Sequence, residues 1–291
     1  MTRIATLSSR GVIALAGADR VSFLQGLVSN DVTAAAPGRA VWAALLTPQG
    51  KWLADFFILA APDRLLLDAE RAQVPLILTR LGRFRLRADV TLAALDDWTV
   101  AAAWDGAPGS PSPSLPPGLL PVGAVAAPDP RLPEAGWRLL SPVPIAATDS
   151  ADAWDRHRLA LGLPDGSRDL EAEKTVLLEA GFDELGGVSW TKGCYMGQEL
   201  TARTRYRGLV KRRLIPVAIA GAPPAAPPPP GTPILRTDRE EPAEAGTLRS
   251  AADGLGLALL RLDALDAPLT CGGARLTPRR PAWLRLPEPA A

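Results

Sequence analysis

Cys194 is the residue of this sequence best set to do chemistry, because of what surrounds it. It lies in Lys192-Gly193-Cys194-Tyr195-Met196-Gly197-Gln198-Glu199. Gly193 and Gly197 permit backbone conformations and close approaches that other residues resist. Helix-compatible residues follow from Gln198 through Tyr206, so the segment reads as a turn that delivers Cys194 near a helix N-terminus. A helix N-terminus and a neighbouring ammonium both favour a thiolate, and Lys192 supplies the second. That combination suits nucleophilic, redox or single-ligand metal chemistry. The plainer alternative is a small buried hydrophobe, the common fate of a free cysteine.

Glu199 falls in the first turn of the expected helix, where a carboxylate is favoured by the dipole. Arg203 lies four residues on, so the two can pair on one helix face. They form either a solvated ion pair or an anion site, since a guanidinium matches carboxylate geometry. The run Arg203, Arg205, Arg207, Lys211, Arg212 and Arg213 is the most basic stretch of the chain. It has only Tyr206 as an interleaved aromatic, so it reads as solvated surface and direct RNA contact is not expected.

The bulk composition removes other chemistries. Two cysteines, Cys194 and Cys271, are too few for a disulfide scaffold or a four-thiolate metal site. The single histidine, His157, excludes multi-histidine zinc sites and disfavours a Ser-His-Asp triad. A formal net charge of +1 gives no broad attraction to nucleic acid or to an anionic membrane. Lysine occurs only at positions 51, 174, 192 and 211, and the excess of arginine reads as the mark of a GC-rich genome. The N-terminal residues show no signal-peptide pattern, and no apolar run is long enough to span a membrane. A cytoplasmic protein with no membrane partner is therefore expected.

The elements that must position these groups are of mixed type. Residues 10–15 read as a strand, and Asp19 caps a helix running to Val28. Residues 41–47 and 52–60 form a hairpin around Pro48-Gln49-Gly50. Further strands fall near 65–67, 90–95 and 99–104, with helices at 71–82 and 150–162. Hairpins interleaved with helices signal an α+β fold. Residues 105–118 are a Pro/Gly/Ser-rich surface loop, and Pro223–Pro230 is a second Pro-rich stretch. Short apolar runs at 215–219, 233–236, 246–249, 256–262 and 274–276 suit a small β-barrel or sandwich. The boundaries expected are 1–208 for the α+β region and 209–286 for the C-terminal barrel. Cys271, beside Gly272-Gly273, reads as incidental.

With Arg203, Arg207-Gly208 and Lys211-Arg212 after it, the Cys194 segment resembles the diagnostic motif of the YgfZ family. Those are folate-binding proteins linked to iron–sulfur cluster assembly and repair, related in fold to the aminomethyltransferase (T-protein) of the glycine cleavage system. The resemblance extends to Ser29-Asn30-Asp31-Val32, Leu46-Thr47-Pro48-Gln49-Gly50-Lys51, Asp55, Leu66-Leu67-Asp68-Ala69, Arg158–Pro164 and Leu257–Arg261. It implies a GcvT-like folate-binding fold with a C-terminal barrel, and tetrahydrofolate or a derivative as cofactor. It also implies iron–sulfur proteins or their assembly machinery as partners, and an indirect effect on tRNA modification. By the same resemblance Cys194 and Asp55 are candidate catalytic residues. Asn30, Asp68, Lys192, Tyr195, Gly197, Gln198, Glu199 and Arg203 are candidate folate-binding residues. Ala160 stands where the T-protein carries its pterin-reading glutamate, and Asp68 where it carries an asparagine. A polar site stripped of partners loses affinity, so folate-dependent aminomethyl or one-carbon transfer is the alternative to the leading reading.

Overall fold

The computed structural model describes residues 2–105, 114–208, 210–221, 227–238 and 240–286. The chain opens with β1 (Thr2–Thr6), β2 (Arg10–Ala16) and α1 (Arg20–Gln25). The hairpin β3 (Val41–Leu46) and β4 (Trp52–Ala60) follows, then β5 (Arg64–Glu70), α2 (Val74–Gly82) and β6 (Thr91–Ala94). After these come β7 (Thr99–Asp105), β8 (Val125–Pro128), β9 (Trp137–Ser141), α3 (Ala151–Leu161) and α4 (Gln198–Tyr206). The last strands are β10 (Arg212–Ala220), β11 (Pro233–Arg236), β12 (Ala243–Ala252), β13 (Leu255–Arg261), β14 (Leu269–Cys271) and β15 (Ala274–Pro278). No described helix is long and apolar enough to cross a membrane.

Three antiparallel assemblies result. The first is a five-stranded sheet in the order β3-β4-β5-β2-β6, and the second a four-stranded sheet β1-β7-β9-β8. The third is a closed barrel, β10-β13-β12-β11-β14-β15. The sequence of β4, Trp-Leu-Ala-Asp-Phe-Phe-Ile-Leu-Ala, shows why the first sheet sits centrally: every residue but the last is buried. Successive side chains of a strand point to opposite faces. Accordingly Phe57 and Leu59 enter one apolar cluster while Ala54, Phe56 and Ile58 enter another, and the register shift between Ala54 and Trp52 puts Trp52 with the first. A strand covered on both faces needs no polar alternation.

The hairpin, the helices near 71–82 and 150–162, and the mixed α+β class all appear as the sequence implies. Some expectations are corrected. α1 stops at Gln25, and the Asp19 side chain does not cap it. That carboxylate instead accepts from the backbone N–H of Asp89, tying the start of α1 to the approach to β6. β1, β8, β9 and β14 were not legible. β1 and β9 pair with the expected strand β7, and β8 pairs with β9. Of the two Pro-rich stretches, residues 106–113 and 222–226 lie outside the described residues. Cys271 is buried in the barrel core.

His157, on α3, packs between Trp104 and Trp154 with ring centroids 5.7 and 5.6 Å away. Its Nε2 lies 3.0 Å from the Glu134 carbonyl, which accepts the proton of the neutral ring. Burial pushes the imidazole below its ordinary value of 6.5. The folded chain therefore takes up this proton at lower pH than the unfolded chain. The contribution to stability is complete above the unfolded pKa and is lost as pH falls through the folded one. Because His157 is the only histidine, its ring Hε1 resonance in a proton NMR titration reads this directly. A midpoint below 6.5 is expected, with thermal stability falling over the same acid range.

Candidate functional site

The Cys194 segment is fastened to the loop after α1 by a set of bonds that the chain order conceals. The Lys192 ammonium donates to the carbonyls of Gln25, Val28 and Asn30 at 2.6, 2.9 and 2.7 Å. An ammonium has three N–H groups, so all of them are used. Gln25 ends α1, where a cation also meets the negative end of the helix dipole. Burial pulls Lys192 down to about 8 while Asp31 holds it up, which leaves it mostly charged at neutral pH. Asn30 donates its amide to the carbonyls of Trp42 and Gly186, and Ser29 donates its hydroxyl to that of Gly187. The Met196 N–H reaches the Gly26 carbonyl.

The far end of the segment docks on the β3–β4 turn. Gly197 has φ +81°, and a Cβ there would lie 2.4 Å from the Thr47 carbonyl oxygen. Gly50, in the turn, has φ +80°, and a Cβ on it would lie 2.6 Å from the Gly197 carbonyl oxygen. Both glycines are thus required by conformation and by space. Gln198 opens α4, and its side-chain oxygen accepts from the Tyr195 N–H. The Tyr195 ring is buried beneath Lys192, 5.3 Å from its ammonium, and burial pushes the phenol up. Asn30, Lys192, Tyr195, Gly197 and Gln198 therefore form one rigid frame.

Cys194 sits on this frame and is exposed, so it is not the small buried hydrophobe of the alternative reading. α4 begins four residues after it, and the Lys192 donors are committed to carbonyls. Glu199 and Arg203 are exposed on α4, and among the described residues no ion pair joins them, contrary to the pairing expected from their spacing. The neighbouring basic run is partly internal. Arg205 lies 4.0 Å over the Trp190 ring beside Asp183, and Arg213 is buried against Glu184. Arg203, Arg207, Lys211 and Arg212 stay exposed, so most of the run is solvated surface, as its sequence suggested.

Asp55 and Asp68 belong to a second, buried constellation. The Asp55 oxygens accept from the indole N–H groups of Trp42 and Trp52 at 2.8 and 3.1 Å. Burial pushes its carboxyl up against the opposing pull of Arg10 and the Trp42 bond. Asp68, fully buried, is held by Arg10 at 2.7 Å and by Arg138 at 2.5 Å. Arg138 and Arg131 lie 4.3 and 4.8 Å from the Phe57 ring centroid. Arg131 pairs with Asp129, and Arg158 with Asp169. Burial opposes ionisation of Asp165, yet Arg158 and Arg10 hold its carboxyl well below the usual range. These arginines were read as compositional background. A sequence could have flagged only Arg158, at a helix position otherwise facing the core.

The fit to a pterin follows from these contacts. Asp55 and Asp68 were the carboxylates offered to its N–H groups. Both are now engaged by the protein's own indoles and guanidiniums and closed to solvent, while the amide of Asn30 and the ammonium of Lys192, both only half-buried, are bonded to carbonyls. Each oxygen of Asp55 and Asp68 is thus already bonded within the protein, whereas Glu199 and Arg203 remain exposed on α4. Lys192→Met removes three charge-assisted bonds from half-buried carbonyls and is expected to cost about 1–3 kcal/mol of unfolding free energy in urea titrations.

Known proteins match this architecture. Residues 211–286 match the family model described as the CAF17 C-terminal beta-barrel domain. A mitochondrial iron–sulfur cluster assembly factor IBA57 homologue of Mycosarcoma maydis is 37% identical over 247 residues, 77% of this chain and 59% of that protein. The human mitochondrial IBA57 is 31% identical over 285 residues, covering 90% of this chain and 78% of the relative. The chain has the fold of the glycine cleavage aminomethyltransferase T from Bartonella henselae, with TM-score 0.73 at 15% identity over 97% of this chain and 86% of the other. These relatives are named as mitochondrial proteins, which overturns the expectation of a cytoplasmic one. The chain belongs to the IBA57 family of iron–sulfur cluster assembly factors.

Proposed function

We propose that this protein supports the assembly of iron–sulfur clusters by presenting Cys194 as a single thiolate to the iron of a cluster carried by a partner. The observation that carries the reading is an exposed thiol on a segment held from both sides, by the Lys192 clamp and by the Gly50–Gly197 contact. Among the described residues no group of three or more His, Cys, Asp or Glu could hold a metal ion. One thiolate cannot build a conventional cluster site, so the remaining ligands come from the partner. On contact the thiol loses its proton to solvent and its sulfur bonds to iron. The rigid frame lowers the conformational cost of that encounter.

The proposal includes a closer kinship with the YgfZ-type proteins, supported by the segment from Lys192 to Glu199, and a division into an α+β region (1–208) and a barrel (209–286). Reduced activity of tRNA-modifying iron–sulfur enzymes would then be a downstream effect. Asp55 accepts from two indoles and is buried, so it is not placed to act as a base in aminomethyl transfer.

Complementation of a deletion strain tests it. Cys194→Ala and Cys194→Ser are expected to leave thermal unfolding unchanged but to restore less than about a tenth of wild-type iron–sulfur enzyme activity, as suits loss of a metal ligand. Full restoration by Cys194→Ala would sink the thiol role.

A further inference from the structure

Arginine alternates with apolar residues where α2 ends: Arg80-Leu81-Gly82-Arg83-Phe84-Arg85-Leu86-Arg87. Leu81 is in the core, but Phe84 and Leu86 are 42% and 89% exposed. Leu86 also has φ +42°, a left-handed conformation unfavourable to any side chain but glycine's. The fold gains no apolar burial from this leucine in return, and backbone strain of this kind concentrates at functional positions. Arg83, Arg85 and Arg87 are exposed, and among the described residues none forms an ion pair. Arg80 comes only within 3.8 Å of Glu173. The nearest acid in sequence, Asp89, is turned to the Ala18 N–H.

Beside these arginines lies a hollow of about 390 Å³, lined by Leu78, Gly82, Arg83, Arg85, Leu86 and Leu92. Leu92 belongs to β6, which pairs with β2 on one side and ends the five-stranded sheet. An exposed sheet edge carries unpaired backbone N–H and C=O groups, which a further strand can satisfy. Alternate side chains of an extended strand fall on the same face. An added strand can therefore direct one apolar side chain to the hollow while its carboxylates meet guanidiniums, whose fork matches them bidentately.

We propose that the outer edge of β6 and the turn from Arg83 to Arg87 form a docking surface for an extended acidic segment of a partner protein. The segment adds a strand to β6, seats an apolar side chain among Leu78, Leu86 and Leu92, and sets carboxylates against Arg83, Arg85 and Arg87. A protein segment is favoured over a lipid surface because the hollow is concave and adjoins a backbone edge whose hydrogen bonds a lipid cannot make. The surface stands apart from Cys194 in sequence and does not depend on its role.

The test uses the full chain and a synthetic peptide of alternating Glu and Leu, with a Lys-for-Glu peptide as control. The acidic peptide alone is expected to bind by fluorescence anisotropy, with affinity falling as salt is raised. The backbone amides of Thr91–Ala94 are expected to gain protection from hydrogen exchange on binding. The triple variant Arg83→Gln, Arg85→Gln, Arg87→Gln is expected to weaken binding at least about tenfold. Because these side chains are exposed, its thermal unfolding should match the wild type. Equal binding of both peptides would overturn the proposal, as would undiminished binding by the triple variant. Flotation with phosphatidylglycerol vesicles without peptide binding, or self-association through this face, would overturn it as well.

Discussion

The fold depends on a buried carboxylate, Asp68, gripped by two guanidiniums that come from different sheets. Arg10 belongs to β2, in the five-stranded sheet with Asp68 itself, while Arg138 belongs to β9 in the four-stranded sheet. A buried ion taken from water is expensive, and its partner repays that cost only with good geometry and further hydrogen bonds. Here both are supplied: Arg10 also donates to the Asp68 carbonyl, and Arg138 lies over Phe57. Removing one member of such a pair leaves an uncompensated charge, so the two sheets are held to a single relative arrangement.

The same device repeats outward. Arg131 joins Asp129 to the carbonyl of Pro164, which follows α3. Arg158, on α3, bonds Asp169, and it also donates to Ser250 in the barrel strand β12. Guanidiniums suit this task because a planar fork with five donors can serve several acceptors at once. The outcome bears on function. A centre of this kind is filled by its own side chains, so the carboxylates of Asp55 and Asp68 are spent on the protein's own indoles and guanidiniums.

The Cys194 segment is built by the opposite means. Its rigidity comes mostly from backbone carbonyls gathered by one ammonium and from two glycines that let the chains meet. Uncharged backbone groups cost less to bury than paired ions, provided each has a partner. The segment can therefore lie at the surface with its thiol exposed and still keep one geometry. Stability is concentrated in the buried network, and reactivity is kept at the rim.

Much of this was written in the sequence. Periodicity and turn residues gave the β3–β4 hairpin, α3 and the succession of barrel strands, because those signals are local. The run from Lys192 to Glu199 marked Cys194 as the reactive candidate, because residue type and spacing are local too. The roles of its neighbours were not legible. Lys192 read as a tuner of the thiol, yet its donors reach carbonyls more than 160 residues away in sequence. Asp55 and Asp68 read as ligand groups, but the indoles that hold Asp55 within the β3–β4 hairpin leave no mark in its periodicity, and the Arg138 that holds Asp68 comes from β9, whose juxtaposition with β5 no local pattern encodes. Sequence determined which groups could do chemistry and which segments would be strand or helix. Tertiary structure decided which of those groups remain free, because a donor or acceptor is spent by whatever the fold brings against it, at any distance along the chain.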